Sequence, residues 1–129
     1  RFVAKHDLGR YKMHPQFPFN SILFQRMLYA ADQDGRGVQF AETLLRAVWE
    51  EGIDIASPEA IGAAVSAAGF DATDLFARAQ TDEVKQGLVA NTDAVVARGA
   101  FGIPTIWVDG EMFFGKERLG QIEDLLAKG

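Results

Sequence analysis

The last third of the chain changes its hydrophobic period, and this change limits the possible folds more than any other feature. From Thr105 to Phe114 apolar residues recur as they do in strands, and the pair Asp109-Gly110 interrupts them. Asp-Gly between two apolar runs is a strong signal for a two-residue β-hairpin turn. A lone hairpin is marginal in water. Both runs are apolar at neighbouring positions, as strands covered on both faces are, so we expect the hairpin to belong to a larger sheet.

The residues before the hairpin follow helical spacing instead. Asn20 is predicted to cap a first helix, which "DQDGRG" closes, and a second helix is predicted from about Val38 to Glu51. The apolar positions assigned to the inner faces of these two helices are Leu23, Phe24, Met27, Leu28, Ala31, Phe40, Leu44, Leu45, Val48 and Trp49.

Three further helix starts carry recognisable caps. Ser57 followed by Pro58 predicts a helix that ends at Gly69, and Asp71 is predicted to cap a short helix after it. Thr81 is predicted to start a long helix that ends at Arg98 and Gly99. The segment from Arg1 to Gln16 is predicted to be a helix end followed by a loop. After the hairpin, residues 115–127 return to helical spacing.

Composition excludes several classes of function. The formal net charge is −5 and the basic residues are scattered, which argues against nucleic acid or an anionic membrane as a partner. The chain has no cysteine, so it has no disulfide, thiolate metal site or thiol nucleophile; we expect a cytoplasmic protein. His6 and His14 lack companions at ligand spacing, so both are interpreted as surface or loop residues and no metal is assigned.

Pro104, at the mouth of the hairpin, needs a separate explanation. Proline cannot donate to a sheet ladder, so it belongs at a strand's first residue, on an edge or in a turn. From the residues alone, an ordinary trans-proline that starts an edge strand is the simpler interpretation.

Several motifs, in their order and spacing, resemble the C-terminal part of the 2-hydroxychromene-2-carboxylate isomerases. They are "HPQFPFNSILFQRML", "AVWEEGIDI", "FGIPT" and "VDGEMFFGKERL". That family is related to kappa-class glutathione transferases and to DsbA-type oxidoreductases. The resemblance implies an α/β class and a partial thioredoxin-like (DsbA-type) fold. Residues 19–98 would be an all-helical insertion domain, while residues 1–18 and 99–129 would be the C-terminal part of the thioredoxin-like domain, ending in the β-hairpin and a helix.

The resemblance also implies what is missing. The family's N-terminal βαβ unit, with the residue that activates the thiol, has no counterpart here, and the chain starts without methionine. We therefore expect a fragment that is inactive by itself, with no catalytic residue of its own.

The site residues implied by the resemblance bind glutathione. Ile103 would precede a cis-Pro104 and hold an extended peptide by its backbone. The start of the last helix would meet the γ-glutamyl end: Glu117 would contact the α-amino group, with Arg118 as a charged neighbour and Lys116 in a variable place. Glu117 stands where the family pattern has aspartate. The alternative for these residues is a purely structural role in the first helical turn.

Asn20 is the candidate substrate-binding residue by the same resemblance, beside its role as a cap. The implied function is a glutathione-dependent isomerase acting on a small aromatic carboxylate of aromatic catabolism. Two alternatives remain open: a DsbA-like thiol-disulfide oxidoreductase whose Cys-containing unit is absent, and a helical dimerisation or interaction domain. Because an unpaired strand edge beside apolar side chains rarely stays free, we predict a homodimer.

Overall fold

The computed structural model describes all 129 residues, and they form two compact units, Arg1–Val89 and Ala90–Gly129. The helices are α1 (Phe2–Lys5), α2 (Ile22–Gln33), α3 (Gly37–Arg46), α4 (Pro58–Ala67), α5 (Ala72–Ala79), α6 (Asp82–Ala97) and α7 (Leu119–Lys128). The strands are β1 (Thr105–Val108) and β2 (Glu111–Phe114), and α6 runs across the boundary of the units. The predicted limits of the helical insertion domain, residues 19–98, refer to the complete thioredoxin-like fold and remain a prediction.

The predicted caps of the middle helices are confirmed. Ser57 Oγ accepts a hydrogen bond from the Ala60 N–H at 3.1 Å, with proline at the first helical position. The Asp71 carboxylate accepts one from the Asp74 N–H at 2.9 Å. These bonds satisfy N–H groups that have no partner inside a helix, so the starts of α4 and α5 are determined locally.

The first unit has an apolar core formed by α2 to α5 and the start of α6. Its fully buried large side chains are Met27, Phe40, Ile61 and Val65. The predicted burial of Leu45 is wrong, because this side chain is 59% exposed. Phe40, Leu44 and Val48 repeat every four residues and fill the inner face, so Leu45 turns away from it.

The last turn of the helix predicted from about Val38 to Glu51 is not α-helical. The α-helix ends at Arg46, and Ala47–Glu51 form a π-helical turn that stops at Gly52 with φ of 66°. Trp49 lies in this turn and is half-buried among Tyr11, Phe17 and Phe19, with ring centroids 5.9 to 6.0 Å away.

His14, predicted to be a surface or loop residue, lies in the loop before α2 but not at the surface. Its side chain is 3% exposed. Nε2 lies 2.8 Å from the Ile53 carbonyl oxygen, and Nδ1 accepts a hydrogen bond from the Gln16 N–H at 3.1 Å. The ring therefore links the loop before α2 to the segment after the π-helical turn, which is a structural role.

The second unit contains the predicted hairpin. β1 and β2 pair antiparallel, with Ile106 opposite Phe113 and Trp107 opposite Met112. Asp109 and Gly110 have φ values of 49° and 85°, as the two central positions of a type I′ turn require. Phe113 and Ile122 are its buried apolar side chains.

None of the helices is long and apolar enough to cross a membrane.

Candidate functional site

The loop from Phe101 to Pro104 is fixed in the second unit by three local contacts. The rings of Phe101 and Phe114 lie 4.6 Å apart. Gly102 packs so closely against Phe114 that an added Cβ would lie 2.8 Å from a ring carbon. Thr105 Oγ1 donates a hydrogen bond to the Gly102 carbonyl at 2.6 Å. Glycine at position 102 thus avoids a clash with the Phe114 ring, and the loop leaves the Ile103 side chain exposed.

Ile103 combines an exposed side chain with an unpaired backbone. Its side chain is 91% exposed, and its peptide bond to Pro104 is cis. Neither its N–H nor its carbonyl makes a hydrogen bond within the chain. The Pro104 carbonyl, in contrast, accepts a hydrogen bond from the Gly115 N–H at 2.9 Å.

The backbone groups of β1 alternate in direction because antiparallel pairs alternate between bonded and non-bonded positions. The bond between Gly115 and Pro104 sets the phase of that alternation. The N–H and carbonyl groups of Thr105 and Trp107 therefore point away from β2. Together with Ile103 they form the free edge of β1.

Lys116, Glu117 and Arg118 form a 3₁₀ turn rather than the first turn of the last α-helix, which begins at Leu119. The predicted helix start is therefore displaced by this turn. All three side chains are exposed. Gly115 precedes them with φ of 94°, a conformation that favours glycine.

The charges of this turn interact with one another. The Lys116 ammonium donates a hydrogen bond to the Glu117 carboxylate, and this bond, with a smaller contribution from the backbone, lowers the pKa of Glu117 below its ordinary value of 4.5. Arg118 Nη1 lies 3.5 Å from Gln121 Oε1. The turn thus offers two cations and one ionised carboxylate to solvent.

The structure brings five of the six predicted site residues together. The hydrogen bond between Gly115 and Pro104 places Ile103 and Pro104 beside the turn of Lys116, Glu117 and Arg118. The arrangement can pair with an extended peptide backbone at Ile103 and with opposite charges a few residues further along that peptide.

Asn20, the sixth predicted site residue, belongs to the first unit. The predicted cap position is wrong by one residue, because Ser21 is the N-cap of α2 and makes no side-chain cap bond. Asn20 Oδ1 instead accepts a hydrogen bond from the Ile22 N–H at 2.9 Å. Its Nδ2 donates no hydrogen bond within the chain and remains available to a ligand.

Sequence reasoning missed two features. Arg26, on α2, has a buried Nε without a hydrogen-bond partner. In the sequence, the only indication of this buried group is that a charged residue directly precedes the core position Met27. The second feature is a cavity of about 360 Å³ between the end of α6 and β1, lined by Val95, Phe101, Ile103 and Trp107 among others. The structure brings no group of three His, Asp or Glu side chains together that could hold a metal ion.

Comparison with known proteins decides the family. Residues 3–127 match the DSBA-like thioredoxin domain. The chain belongs to this DSBA-like thioredoxin family. The predicted fold class, a partial thioredoxin-like fold with a helical insertion, is thereby confirmed.

Relatives within the DSBA-like family carry two kinds of name. Human glutathione S-transferase kappa 1 is 36% identical over 88 residues, which are 63% of this chain and 39% of that protein. The 2-hydroxychromene-2-carboxylate isomerase of Pseudomonas sp. (strain C18) is 28% identical over 130 aligned positions, 95% of this chain and 61% of that protein. The isomerase of Pseudomonas putida is 25% identical over 111 residues, 85% of this chain and 54% of that protein.

A solved structure of a 2-hydroxychromene-2-carboxylate isomerase shares the fold. Its TM-score is 0.80 at 22% identity, with 98% of this chain and 66% of that chain covered. This chain spans about two fifths to three fifths of the length of the curated relatives it matches.

Proposed function

We propose that this chain is the glutathione-holding part of a glutathione-dependent isomerase of the 2-hydroxychromene-2-carboxylate type. The single observation that carries the proposal is the unpaired backbone of Ile103 next to the charged turn Lys116–Arg118. The names of the relatives, an isomerase and a glutathione transferase, support the same reaction class.

The residues of the site fit a γ-linked tripeptide thiol. The N–H and carbonyl of Ile103 can form β-type hydrogen bonds with the cysteinyl residue. The Glu117 carboxylate can meet the α-ammonium group, and Lys116 or Arg118 the α-carboxylate. When bound, glutathione supplies a thiol nucleophile.

The chain's own share of the reaction is to bind and orient. The Gly102 loop, packed against Phe114, holds the Ile103 backbone in place and presents the exposed apolar side chains of Phe101 and Ile103 beside it. We assign no catalytic side chain among these residues, and we propose that they do not catalyse the reaction by themselves.

Two matched charge reversals test the glutathione site in the encoded full-length protein. Glu117→Lys places a cation where the α-ammonium group is held, so we expect glutathione to bind about 10- to 100-fold more weakly, the equivalent of one charge-assisted hydrogen bond. Glu111→Lys makes the same change at an exposed position in β2, away from the turn, and should leave the affinity unchanged. Equal affinities for both variants in isothermal titration calorimetry would show that the turn is only structural.

For the 129 residues folded by themselves, we also propose that the free edge of β1 pairs with a second copy of the chain. The strand Thr-Ile-Trp-Val carries no charged residue, and charges are the usual protection of a strand edge. An antiparallel pairing of two β1 edges about a two-fold axis would satisfy the outward N–H groups of Thr105 and Trp107. Light scattering should give a dimer mass, with slow hydrogen exchange at both residues. A monomer mass over a wide concentration range, with fast exchange there, would contradict the pairing.

A further inference from the structure

The segment after α1 and the outer face of α3 border a cavity of about 560 Å³ in the first unit. Cavities of this size are typical of small-molecule sites. The helical side of the cavity consists of Glu42, Leu45, Arg46, Trp49 and Glu50. Residues three and four apart share one face of a helix, and the core residues of α3 belong to a different face. The cavity is therefore not part of the core packing of this helix.

Three contacts hold the segment after α1 against the π-helical turn. The Lys12 N–H donates a hydrogen bond to the Trp49 carbonyl at 2.6 Å. The rings of Tyr11 and Trp49 stack with centroids 5.9 Å apart, and Arg10 Nη1 lies 3.5 Å from Glu50 Oε2. Turns of π-helix are rare and occur frequently at functional sites. This turn fixes the two sides of the cavity relative to each other.

The apolar part of the cavity is open to solvent. Leu45 is 59% exposed, Leu8 45% and Tyr11 40%, while Trp49 is half-buried. Small-molecule sites are lined mainly by apolar and aromatic side chains, with a few polar groups that fix the orientation of the ligand. A ligand with an apolar body would cover Leu45, which the core leaves exposed.

The charged residues of the cavity are only partly paired. Arg10 and Glu50 compensate each other. The side chains of Asp7, Glu42 and Arg46 make no hydrogen bond or ion pair within the chain. Glu42 and Arg46 are four residues apart on α3, the spacing at which opposite charges commonly pair along a helix. Two carboxylates and one guanidinium are therefore free to contact a ligand.

We propose that this cavity binds a small zwitterion with an apolar body, the class to which the apolar α-amino acids belong. The ammonium group of the ligand donates hydrogen bonds to Asp7 and Glu42, and its carboxylate accepts them from Arg46. Its apolar side chain lies against Leu45 and Trp49. A simple amine would leave the guanidinium unpaired, and a simple acid would leave both carboxylates unpaired. The inference goes beyond the proposed function, since glutathione is assigned to residues of the second unit.

The two tryptophans of the chain allow a direct test by NMR. Trp49 lines this cavity, whereas Trp107 lines the smaller apolar cavity of the second unit and serves as the internal reference. The probe is L-phenylalanine, and the ligand controls are phenethylamine, which has only the ammonium group, and hydrocinnamate, which has only the carboxylate. The Trp107→Phe variant assigns the two indole N–H resonances.

We expect phenylalanine to shift the indole resonance of Trp49 and to leave that of Trp107 in place. Phenylalanine should bind about two- to fivefold more tightly than either control, the range expected for one exposed ion pair. Three results would overturn the inference: no shift of Trp49, equal shifts of both indoles, or an affinity for either control that matches the affinity for phenylalanine.

A matched pair of variants tests the apolar contact. Leu45→Ala shortens a side chain of the cavity, whereas Val38→Ala makes a similar change at a residue of α3 that is 78% exposed and does not line it. We expect Leu45→Ala to bind phenylalanine about three- to tenfold more weakly because apolar contact area is lost. Val38→Ala should keep the affinity, and equal affinities of the two variants would refute the site.

Arg46→Met tests the carboxylate contact by a comparison of ligands. The substitution removes the guanidinium and keeps an apolar stem. Phenylalanine and phenethylamine should then bind equally, because the carboxylate of phenylalanine has lost its partner. A preference for phenylalanine over phenethylamine that survives in Arg46→Met would contradict the assignment.

Discussion

Replacing Gly102 by alanine tests how the loop that carries Ile103 is held. The added Cβ would lie 2.8 Å and 3.2 Å from two ring carbons of Phe114, which is too close for unmoved neighbours. The φ angle of Gly102 lies outside the left-handed region, so the substitution acts through space and not through backbone strain.

Two opposing contributions set the size of the effect. Overpacking costs about 1–3 kcal/mol, and because Phe114 is 42% exposed and its ring can tilt, we expect the lower part of that range. Alanine also restricts the unfolded chain more than glycine does, which stabilises the folded state by about 0.4–1 kcal/mol. The net expectation is a destabilisation of at most about 2 kcal/mol, with weaker glutathione binding because the Ile103 backbone moves with the loop.

A double-mutant cycle isolates the contact. In the Phe114→Ala background the clash is absent, so Gly102→Ala should become stabilising by about 0.4–1 kcal/mol. Gly120→Ala is the control, because an added Cβ there meets nothing within 4 Å. The assay is the free energy of unfolding in urea for the four proteins of the cycle. If Gly102→Ala and Phe114→Ala add within about 0.5 kcal/mol, the ring does not press on Gly102 and the account of the loop is wrong.

Three further predictions follow from single contacts. Met27→Ala should lower the free energy of unfolding by about 2–5 kcal/mol, since Met27 is fully buried, whereas Leu45→Ala should change it by less than about 0.5 kcal/mol; equal losses in urea unfolding would contradict the core assignment. His14→Leu should cost about 1–3 kcal/mol, because the Gln16 N–H and the Ile53 carbonyl lose their partner, and a neutral effect would show that the ring is dispensable. Lys116→Ala should raise the pKa of Glu117 toward 4.5 in an NMR titration of its carboxyl carbon. Because the folded-state pKa is lowered, the stabilising effect of the pair is present above pH 4.5 and is lost as the pH falls through the folded pKa. An unchanged pKa of Glu117 in the variant would show that the pair does not form in solution.

Features that depend only on residues close together in the sequence were predicted correctly. The hairpin turn at Asp109-Gly110 and the caps at Ser57 and Asp71 follow from short-range backbone chemistry, and the structure confirms them. Burial of His14 depends on Ile53, a residue 39 positions away. No local pattern indicates such a partner, so the sequence predicted a surface or loop position and gave no sign that the ring is buried within its loop.

Exposure of Leu45 has a similar cause. Leu44 and Leu45 are both apolar and both fit the helical spacing of a buried face. Only the packing of α3 against its neighbours decides that Leu44 faces the core and Leu45 does not. The site residues Ile103 and Glu117 came from a family resemblance. The unpaired backbone and the Lys116 contact, which give these residues a chemical role, became visible only in three dimensions.

The central claim is that glutathione lies along Ile103 and reaches the turn of Lys116–Arg118, and NMR mapping on the isotope-labelled protein tests it most directly. Adding glutathione should shift the backbone amide resonance of Ile103 and those of residues 115–118, while the resonances of α4 and α5 stay in place. A titration that saturates with shifts confined to other parts of the chain, or with none at Ile103, would contradict the claim.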